Sequence, residues 1–308
     1  MRIVSLIPSA TEILFALGLG DEICGVSHEC DFPAEARTKR VVVHPRIPEG
    51  LAAAEIERRV REYVGRGESL YVVDAAALAE IDADLIITQD LCHVCAATPD
   101  DLAAALNGLA RMPRILTLDP QSLGDVYGNV RLVAEAAGRA SEAERVVGAL
   151  QNRVAAVERA VAGRVRPRVL CLEWLDPPYP GGHWVPEMVE YAGGIDVLGT
   201  IRVPSVPVTW DAVLATQPDI AIIMPCGYGS EKAASEYAVA PLPIGWTDLP
   251  AVRAGRVFCV DGSAYYSRSG PRLVDGIEIL AGLLHPECAD RIAPAPTGAI
   301  APIASAAR

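Results

Sequence analysis

Basic residues are scarce in this 308-residue sequence, which has 27 lysines and arginines against 39 acidic residues and a formal charge of −12. A surface of that sign repels the phosphates of nucleic acids and the heads of anionic lipids. Long apolar runs are also missing, since none approaches the roughly 20 residues that cross a bilayer. We therefore expect neither a nucleic-acid partner nor insertion into a membrane.

The amino terminus lacks the pattern of a secretion signal. Residues 2–7 form an apolar run at once, without separate basic, apolar and small-residue regions. This predicts a cytoplasmic protein, or a periplasmic or cell-surface protein if the printed start is truncated. In a reducing compartment, 8 cysteines are more typical of free thiols or metal ligands than of a disulfide framework.

Two further absences concern chemistry. The sequence has no glycine-rich loop of the kind that holds nucleotide phosphates, and no nucleophile and base with a supporting acid stand out. Catalytic turnover therefore has no positive evidence, and we expect that the protein is not an enzyme.

Short apolar runs, by contrast, recur along the whole chain. Hydrophobic residues make up 51% of the sequence and charged residues 21%, which is typical of a compact folded protein. The runs alternate with helical patterns, which predicts an α/β fold with parallel sheets covered by helices. They lie at residues 3–7, 23–27, 40–43, 70–73, 85–88, 115–118, 169–172, 220–224 and 257–260.

A long helical pattern divides the chain into two similar halves. It covers residues 140–163 without proline, and residues 77–87 before it resemble residues 212–222 after it. A repeated helix, turn and strand indicates two Rossmann-like lobes with a cleft between them. We expect an N-terminal lobe over 1–122, a connecting helical segment over 123–165, a C-terminal lobe over 166–292 and a loosely ordered tail over 293–308.

Cysteine and histidine side chains follow two of the predicted strands. Cys92, His93 and Cys95 come after the strand at 85–88, and His28 and Cys30 come after the segment at 23–27. Open α/β sheets bind ligands at the carboxyl ends of their strands, and these groups suit a borderline metal such as Zn²⁺. The predicted metal ligands are Cys30, Cys92, His93 and Cys95. Buried structural thiols are an equally weighted reading, and a redox dithiol is a third.

The first predicted helix brings polar groups to the same edge. Ser9 and Glu12 form a capping box, which predicts that Ser9 is the N-cap and that the positive end of the helix faces the edge.

Aromatic residues make up only 5% of the chain, and many of those in the second half lie in loops. Rings in loops at the end of a sheet suggest the wall of a ligand site, because they supply a large apolar area at a small entropic cost. Ordinary packing within the lobe is the alternative. The residues concerned are Trp174 with its neighbour Glu173, His183, Trp184, Tyr228, Tyr265 and Tyr266.

The order of several motifs resembles the cobalamin- and siderophore-binding solute receptors of ABC importers, a class with two lobes joined by one long helix. The motifs are residues 5–12 (SLIPSATE), Asp84, Pro218-Asp219 and residues 249–257. Residues 182–188 (GHWVPEM) and 265–268 (YYSR) are most similar to the cobalamin-binding subgroup.

The resemblance implies a class III solute-binding-protein fold that holds a corrinoid, or another metal chelate, in the cleft and performs no turnover. The implied ligand contacts are Pro8, Ser9, Thr11, His28, Glu29, Asp90, Glu173, Trp174, His183, Trp184, Tyr228, Tyr265, Tyr266 and Arg268. It also implies an ABC permease as partner, although the usual docking acid falls on Asp211 in the second lobe and near Ala76 in the first. The alternative is a metal-dependent or thiol enzyme that uses Cys92, His93 and Cys95 with His28 and Cys30.

Overall fold

The computed structural model describes residues 1–48, 50–51, 53–90, 99–107, 109 and 111–303. The chain divides into two compact units. Unit 1 comprises residues 1–120 and 124–148, and unit 2 comprises residues 121–123 and 149–308.

Unit 1 alternates strands with helices, as its apolar runs predict. Among the described residues its sheet has the order β4-β3-β2-β1-β5-β6, with all neighbours parallel except β3 and β4. Its elements are β1 (Ile3–Ser5), α1 (Pro8–Ala16), β2 (Ile23–Ser27), β3 (Val41–Pro45), α2 (Ala53–Gly65), β4 (Tyr71–Val73), α3 (Ala75–Ile81), β5 (Leu85–Gln89), α4 (Pro99–Leu106), β6 (Arg114–Leu118), α5 (Leu123–Ala136) and the start of α6 (Ala140–Val161).

Helix α6 is the long helix that the sequence predicts over 140–163. It runs without a break past the division between the units at Gly148 and Ala149. An apolar stripe of this helix is buried, with Val146, Val147, Leu150 and Val154 each at most 7% exposed. Helix α5 begins at Leu123 and precedes α6 within the predicted connecting segment 123–165.

Unit 2 is built around a second sheet with the order β12-β11-β10-β7-β8, and β9 pairs with β7. The central strands β7, β10 and β11 are parallel, while β8 and β12 are antiparallel edges. The elements are β7 (Arg168–Leu175), β8 (Pro178–Pro180), α7 (Val185–Tyr191), β9 (Ile195–Asp196), α8 (Trp210–Ala215), β10 (Ile220–Ile223), α9 (Ser230–Val239), α10 (Pro250–Arg253), β11 (Val257–Val260), α11 (Gly262–Tyr265), α12 (Leu273–Leu284) and β12 (Ile300–Ala301).

The tail differs from the sequence-based expectation of a loosely ordered end. Ile300 and Ala301 form β12, which pairs with Val260 and Cys259 of β11. The hydroxyl of Ser230 donates to the carbonyl of Gly298 at 2.6 Å and fixes the approach to this strand. Hydrogen bonds to an existing strand order these residues, although their composition has no period of its own.

The start of α1 also requires a correction. The helix begins two residues earlier than predicted, at Pro8, and its N-cap is Ile7 instead of Ser9, without a side-chain cap bond. Proline is favoured at the first helical position because the missing N–H has no partner there in any case. Ser9 is therefore inside the first turn, and the predicted capping box does not form.

Candidate ligand-binding site

In unit 1 the carboxyl ends of β1, β2 and β5 lie at one edge of the sheet, as the sequence predicts. The three strands are adjacent and parallel, with Ser5 opposite Val26 on one side and Ile87 on the other. This arrangement brings the start of α1 and residues 28–31 to the same edge as Asp90, which is exposed.

Thr11 contributes to the interior of unit 1. Its side chain is 0% exposed, and its hydroxyl lies 2.8 Å from the Ser5 hydroxyl, 3.3 Å from the Ile7 carbonyl oxygen and 3.1 Å from the Cys30 sulfur. Thr11 therefore has no surface to offer a ligand, which corrects its assignment as a contact. Pro8 and Ser9 are also buried, and Ser9 keeps 3% exposure.

The ring of His28 is held by the backbone of β3, the strand that neighbours β2 on the side away from β1. Its Nδ1 lies 3.2 Å from the carbonyl oxygen of Val43, and its ring is 5.9 Å from that of Tyr71. The Nε2 atom is 4.0 Å from the carboxylate of Glu29. His28 and Glu29 are both partly exposed, so this pair retains a face toward solvent.

The predicted metal cluster falls largely outside the described residues. Cys92, His93 and Cys95 belong to the segment 91–98, and the remaining ligand, Cys30, is buried against the Thr11 hydroxyl. Among the residues that the structure describes, no three His, Cys, Asp or Glu side chains are grouped to hold a metal ion.

The corresponding edge of unit 2 is lined by aromatic rings. Strand β7 pairs with β10 only as far as Leu172, so Trp174 lies beyond the end of β10. The Trp174 ring is half-buried and meets the Tyr228 ring edge to face at 5.5 Å. Tyr228 follows β10, whereas Trp174 lies in the last part of the adjacent strand β7 and not in a loop as the sequence suggested. The sheet brings the two rings together.

Tyr228 is the inner member of this pair. It is 5% exposed, and burial raises the pKa of its phenol to about 12. The ammonium of Lys232, on the first turn of α9, lies 3.7 Å from the ring centroid, a cation–π contact. Sequence reasoning missed Lys232, and the signal that could have found it is a lysine four residues after Tyr228.

Residues 181–184, the aromatic loop, lie between β8 and α7. The amide of Gly182 donates to the Glu173 carboxylate at 3.1 Å, and the rings of His183 and Trp184 stack at 5.4 Å. His183 is partly exposed and has a left-handed backbone with φ 50°. A non-glycine residue in that region stores strain, which is common at ligand sites.

Trp184 and Tyr266 pack together behind the wall. The indole N–H of Trp184 donates to the Tyr266 carbonyl at 2.7 Å, and the Tyr266 hydroxyl donates to the Gly276 carbonyl at 3.2 Å. Their exposed fractions are 4% and 1%, and burial raises the pKa of Tyr266. We correct their assignment: both rings support the wall from within rather than face a ligand.

Tyr265 and Arg268 complete the described edge of unit 2. Both are partly exposed, and the guanidinium of Arg272 lies 5.7 Å from the Tyr265 ring centroid. Tyr265 lies in the short helix α11, whose N-cap Asp261 accepts the amide of Ala264 at 2.7 Å. The described edge of unit 2 thus combines flat rings with charged side chains of both signs, among them Glu173 and Arg268.

Comparison with known proteins establishes the family. The model of the periplasmic binding protein family matches residues 3–264. The chain belongs to this family. Family membership confirms the predicted α/β solute-binding fold, and it describes a receptor for a small molecule rather than an enzyme.

Individual relatives agree with this assignment. The chain is 25% identical over 301 residues to an ABC transporter substrate-binding lipoprotein of Bacillus subtilis, covering 93% of this chain and 80% of that one. It is 24% identical over 284 residues to the vitamin B12-binding protein of Vibrio cholerae, covering 90% and 86%. A periplasmic heme-binding protein of Roseiflexus has the same fold, with a TM-score of 0.68, 24% identity and coverage of 94% and 99%.

These findings correct the predicted compartment. A periplasmic family and a lipoprotein relative point to a location outside the cytoplasm, so the cytoplasmic prediction is wrong. That prediction relied on the first residues of the sequence, and they do not decide where the folded domain works.

The enzyme alternative and the zinc site receive no support from the family or from these relatives. No described helix is long and apolar enough to cross a membrane.

Proposed function

We propose that the chain is a receptor for a corrinoid of the cobalamin type. The observation that carries the proposal is the half-buried ring of Trp174, set edge to face against Tyr228 beyond the end of β10. A planar macrocycle gains most from flat apolar surfaces of this kind. The similarity to a vitamin B12-binding protein over 90% of the chain supports the same ligand class.

The polar groups beside the rings suit a ligand bordered by amides. The carboxylate of Glu173 accepts hydrogen bonds from amide N–H groups, and the guanidinium of Arg268 donates to amide oxygens. In unit 1, His28, Glu29 and Asp90 supply polar groups at the corresponding edge.

An ABC permease is the partner that we propose for delivery, because a relative is an ABC transporter substrate-binding lipoprotein. Asp211 is exposed in the first turn of α8 and presents a carboxylate. In the first lobe the nearest acid to the docking position at Ala76 is Asp74. Asp74 instead caps α3, where its carboxylate accepts the amide of Ala77 at 2.9 Å. We therefore assign electrostatic docking to Asp211 rather than to Asp74.

Titration with cyanocobalamin, followed through its visible absorption and with hemin as competitor, tests the ligand. We expect micromolar or tighter binding of cyanocobalamin and weaker binding of hemin. Trp174→Ala should weaken cyanocobalamin binding by about tenfold or more, because it removes a large ring from the site.

Trp210→Ala is the matched control. Trp210 is also half-buried in unit 2 and in one edge-to-face pair, with Trp246 at 5.7 Å, but its ring packs against the hydrophobic core that contains Trp246. This variant should bind cyanocobalamin like the unmodified protein. Hemin binding without corrinoid binding, or an equal loss in both variants, would contradict the proposal.

A further inference from the structure

Residues 197–208, which we name the strap, have no regular secondary structure and lie along the aromatic loop. The strap begins with a turn at Asp196, whose Oδ1 accepts the amides of Leu198 at 2.9 Å and Gly199 at 2.6 Å. It ends where the amide of Val208 donates to the carbonyl of Pro178 at 2.9 Å. The strap is thus anchored at β9 at its first end and, at its second end, at β8, the strand that precedes the aromatic loop.

The middle of the strap pairs with His183 through two reciprocal backbone bonds. The amide of Arg202 donates to the His183 carbonyl at 2.9 Å, and the amide of His183 donates to the Val203 carbonyl at 2.8 Å. Arg202 has φ 66° and His183 has φ 50°, so two residues in the left-handed region face each other. A strained conformation persists only where its surroundings determine it, and here each residue holds the other.

Close packing leaves no space between the two segments. A Cβ atom on Gly182 would lie 2.4 Å from the amide nitrogen of Ser205, and one on Gly199 would lie 2.5 Å from the Gly181 carbonyl oxygen. The hydroxyl of Ser205 also donates to the Pro180 carbonyl at 2.7 Å. Any displacement of the strap must therefore move the aromatic loop.

The side chain of Arg202 fixes the strap at a third point. Its guanidinium donates to the hydroxyl of Ser122 at 2.9 Å. The next residue, Leu123, donates its amide to the Glu187 carboxylate at 2.8 Å. Residues 121–123 are part of unit 2, so Arg202 is attached to a segment that Glu187 already holds.

We propose that Arg202 is a positioning residue for the ligand site: through the strap it keeps His183 in its strained conformation and orients the aromatic loop. Neither Arg202 nor the strap needs to touch the ligand. The inference rests on the proposed function, because it assumes that the aromatic loop contributes to ligand binding.

Cyanocobalamin affinity and amide exchange in three variants test this role. Arg202→Ala should weaken binding by about tenfold, as expected when a supporting contact of a binding loop is lost. It should also accelerate hydrogen exchange at the His183 amide in the unliganded protein. Arg202→Lys keeps a donor for Ser122 and should recover most of the affinity.

Arg253→Ala is the control, because Arg253 is an exposed arginine of unit 2 whose ion pair with Asp248 is remote from the strap. It should change neither quantity. Gly182→Ala perturbs the same contact from the aromatic loop and should weaken cyanocobalamin binding as Arg202→Ala does. Its control is Gly148→Ala, which should leave binding unchanged because no atom lies within 4 Å of the new Cβ.

Two outcomes separate the inference from the proposed function. If the unmodified protein binds no corrinoid, the proposed ligand is wrong, and the exchange rate of the His183 amide still decides the role of Arg202. If Arg202→Ala leaves both that rate and the affinity unchanged, the strap does not position the loop and the inference fails.

Discussion

Replacing Arg153 by methionine should destabilise unit 2 by about 2–3 kcal/mol, somewhat less than a fully buried pair because the arginine is partly exposed. Arg153 on α6 makes a bidentate contact with Glu278 on α12, at 2.9 and 2.5 Å, and a further contact with Asp275. The Glu278 side chain is only 11% exposed. Methionine fills similar space but leaves this carboxylate without its cation.

The measurement is urea unfolding followed by tryptophan fluorescence. All 4 tryptophans of the chain lie in unit 2, so the signal reports on that unit alone. The contact with Glu278, and then that with Asp275, raises the pKa of Arg153 further above its already high ordinary value, so the cation is present at every working pH.

An exposed pair of the same geometry supplies the control. Arg131 contacts Glu144 at 2.6 and 3.1 Å, with side chains 45% and 67% exposed. Arg131→Met should destabilise the protein by less than about 1 kcal/mol, because water screens both charges. Its unfolding would be followed by far-UV circular dichroism, which reports on the helices and strands of both units. An Arg153→Met/Glu278→Met double variant should recover stability. If Arg153→Met and Arg131→Met lower the free energy of unfolding equally, the burial of Glu278 is unimportant.

Asp196→Asn should gain stability relative to the unmodified protein by about 2–3 kcal/mol between pH 4 and pH 7. Burial raises the pKa of Asp196 from 3.8 to about 6, against the opposing hydrogen bonds from Leu198 and Gly199. Its Oδ2 atom is buried without a hydrogen-bond partner among the described residues.

The direction follows from proton uptake. The pKa of Asp196 is 3.8 in the unfolded chain and about 6 in the folded protein. Between these two pH values the folded protein holds a proton that the unfolded chain releases, so stability falls as the pH rises through this range. Asparagine keeps the oxygen that accepts the two amides and never ionises. Its new N–H₂ group carries a cost of its own, which is the same at both pH values and cancels in the comparison.

Asp82→Asn is the sign control for the pH experiment. The contact with Arg111 is the main cause that lowers the pKa of Asp82, so Asp82 stabilises the fold when it is ionised. Asp82 has φ 48°, a conformation that asparagine tolerates. This variant should lose stability relative to the unmodified protein as the pH rises. Parallel pH profiles for Asp196→Asn and the unmodified protein would contradict the burial argument.

Local pattern was sufficient to predict most of the sheet framework. Strands such as β5 and β10 are apolar runs because both of their faces are buried, and this pattern can be read from the sequence. Strands β8, β9 and β12 were not predicted. They have at most 3 residues each, and they exist because a neighbouring strand supplies hydrogen bonds rather than because of their own propensity.

The candidate site was predictable where it depends on strand ends and not where it depends on distant loops. Trp174 and Tyr228 come together because the adjacent parallel strands β7 and β10 end at one edge, and the sequence predicts such an edge wherever parallel strands end. The order of the strands was not predicted. Whether a ring at this edge faces outward or inward depends on tertiary packing, so Trp184 and Tyr266 were misassigned. The role of Arg202 depends on its backbone conformation and on its bond to the distant Ser122, and that of Asp196 depends on its burial. Neither property can be read from the sequence.

Strand β12 has a further consequence for handling the protein. Strand β11 would otherwise present a row of open backbone groups, and such rows recruit strands from other molecules. Strand β12 pairs with Cys259 and Val260 of β11, and with 2 residues it is too short to act as a template itself. Shortening the chain before Ile300 would thus promote self-association through the sheet, even though it removes none of the proposed ligand contacts.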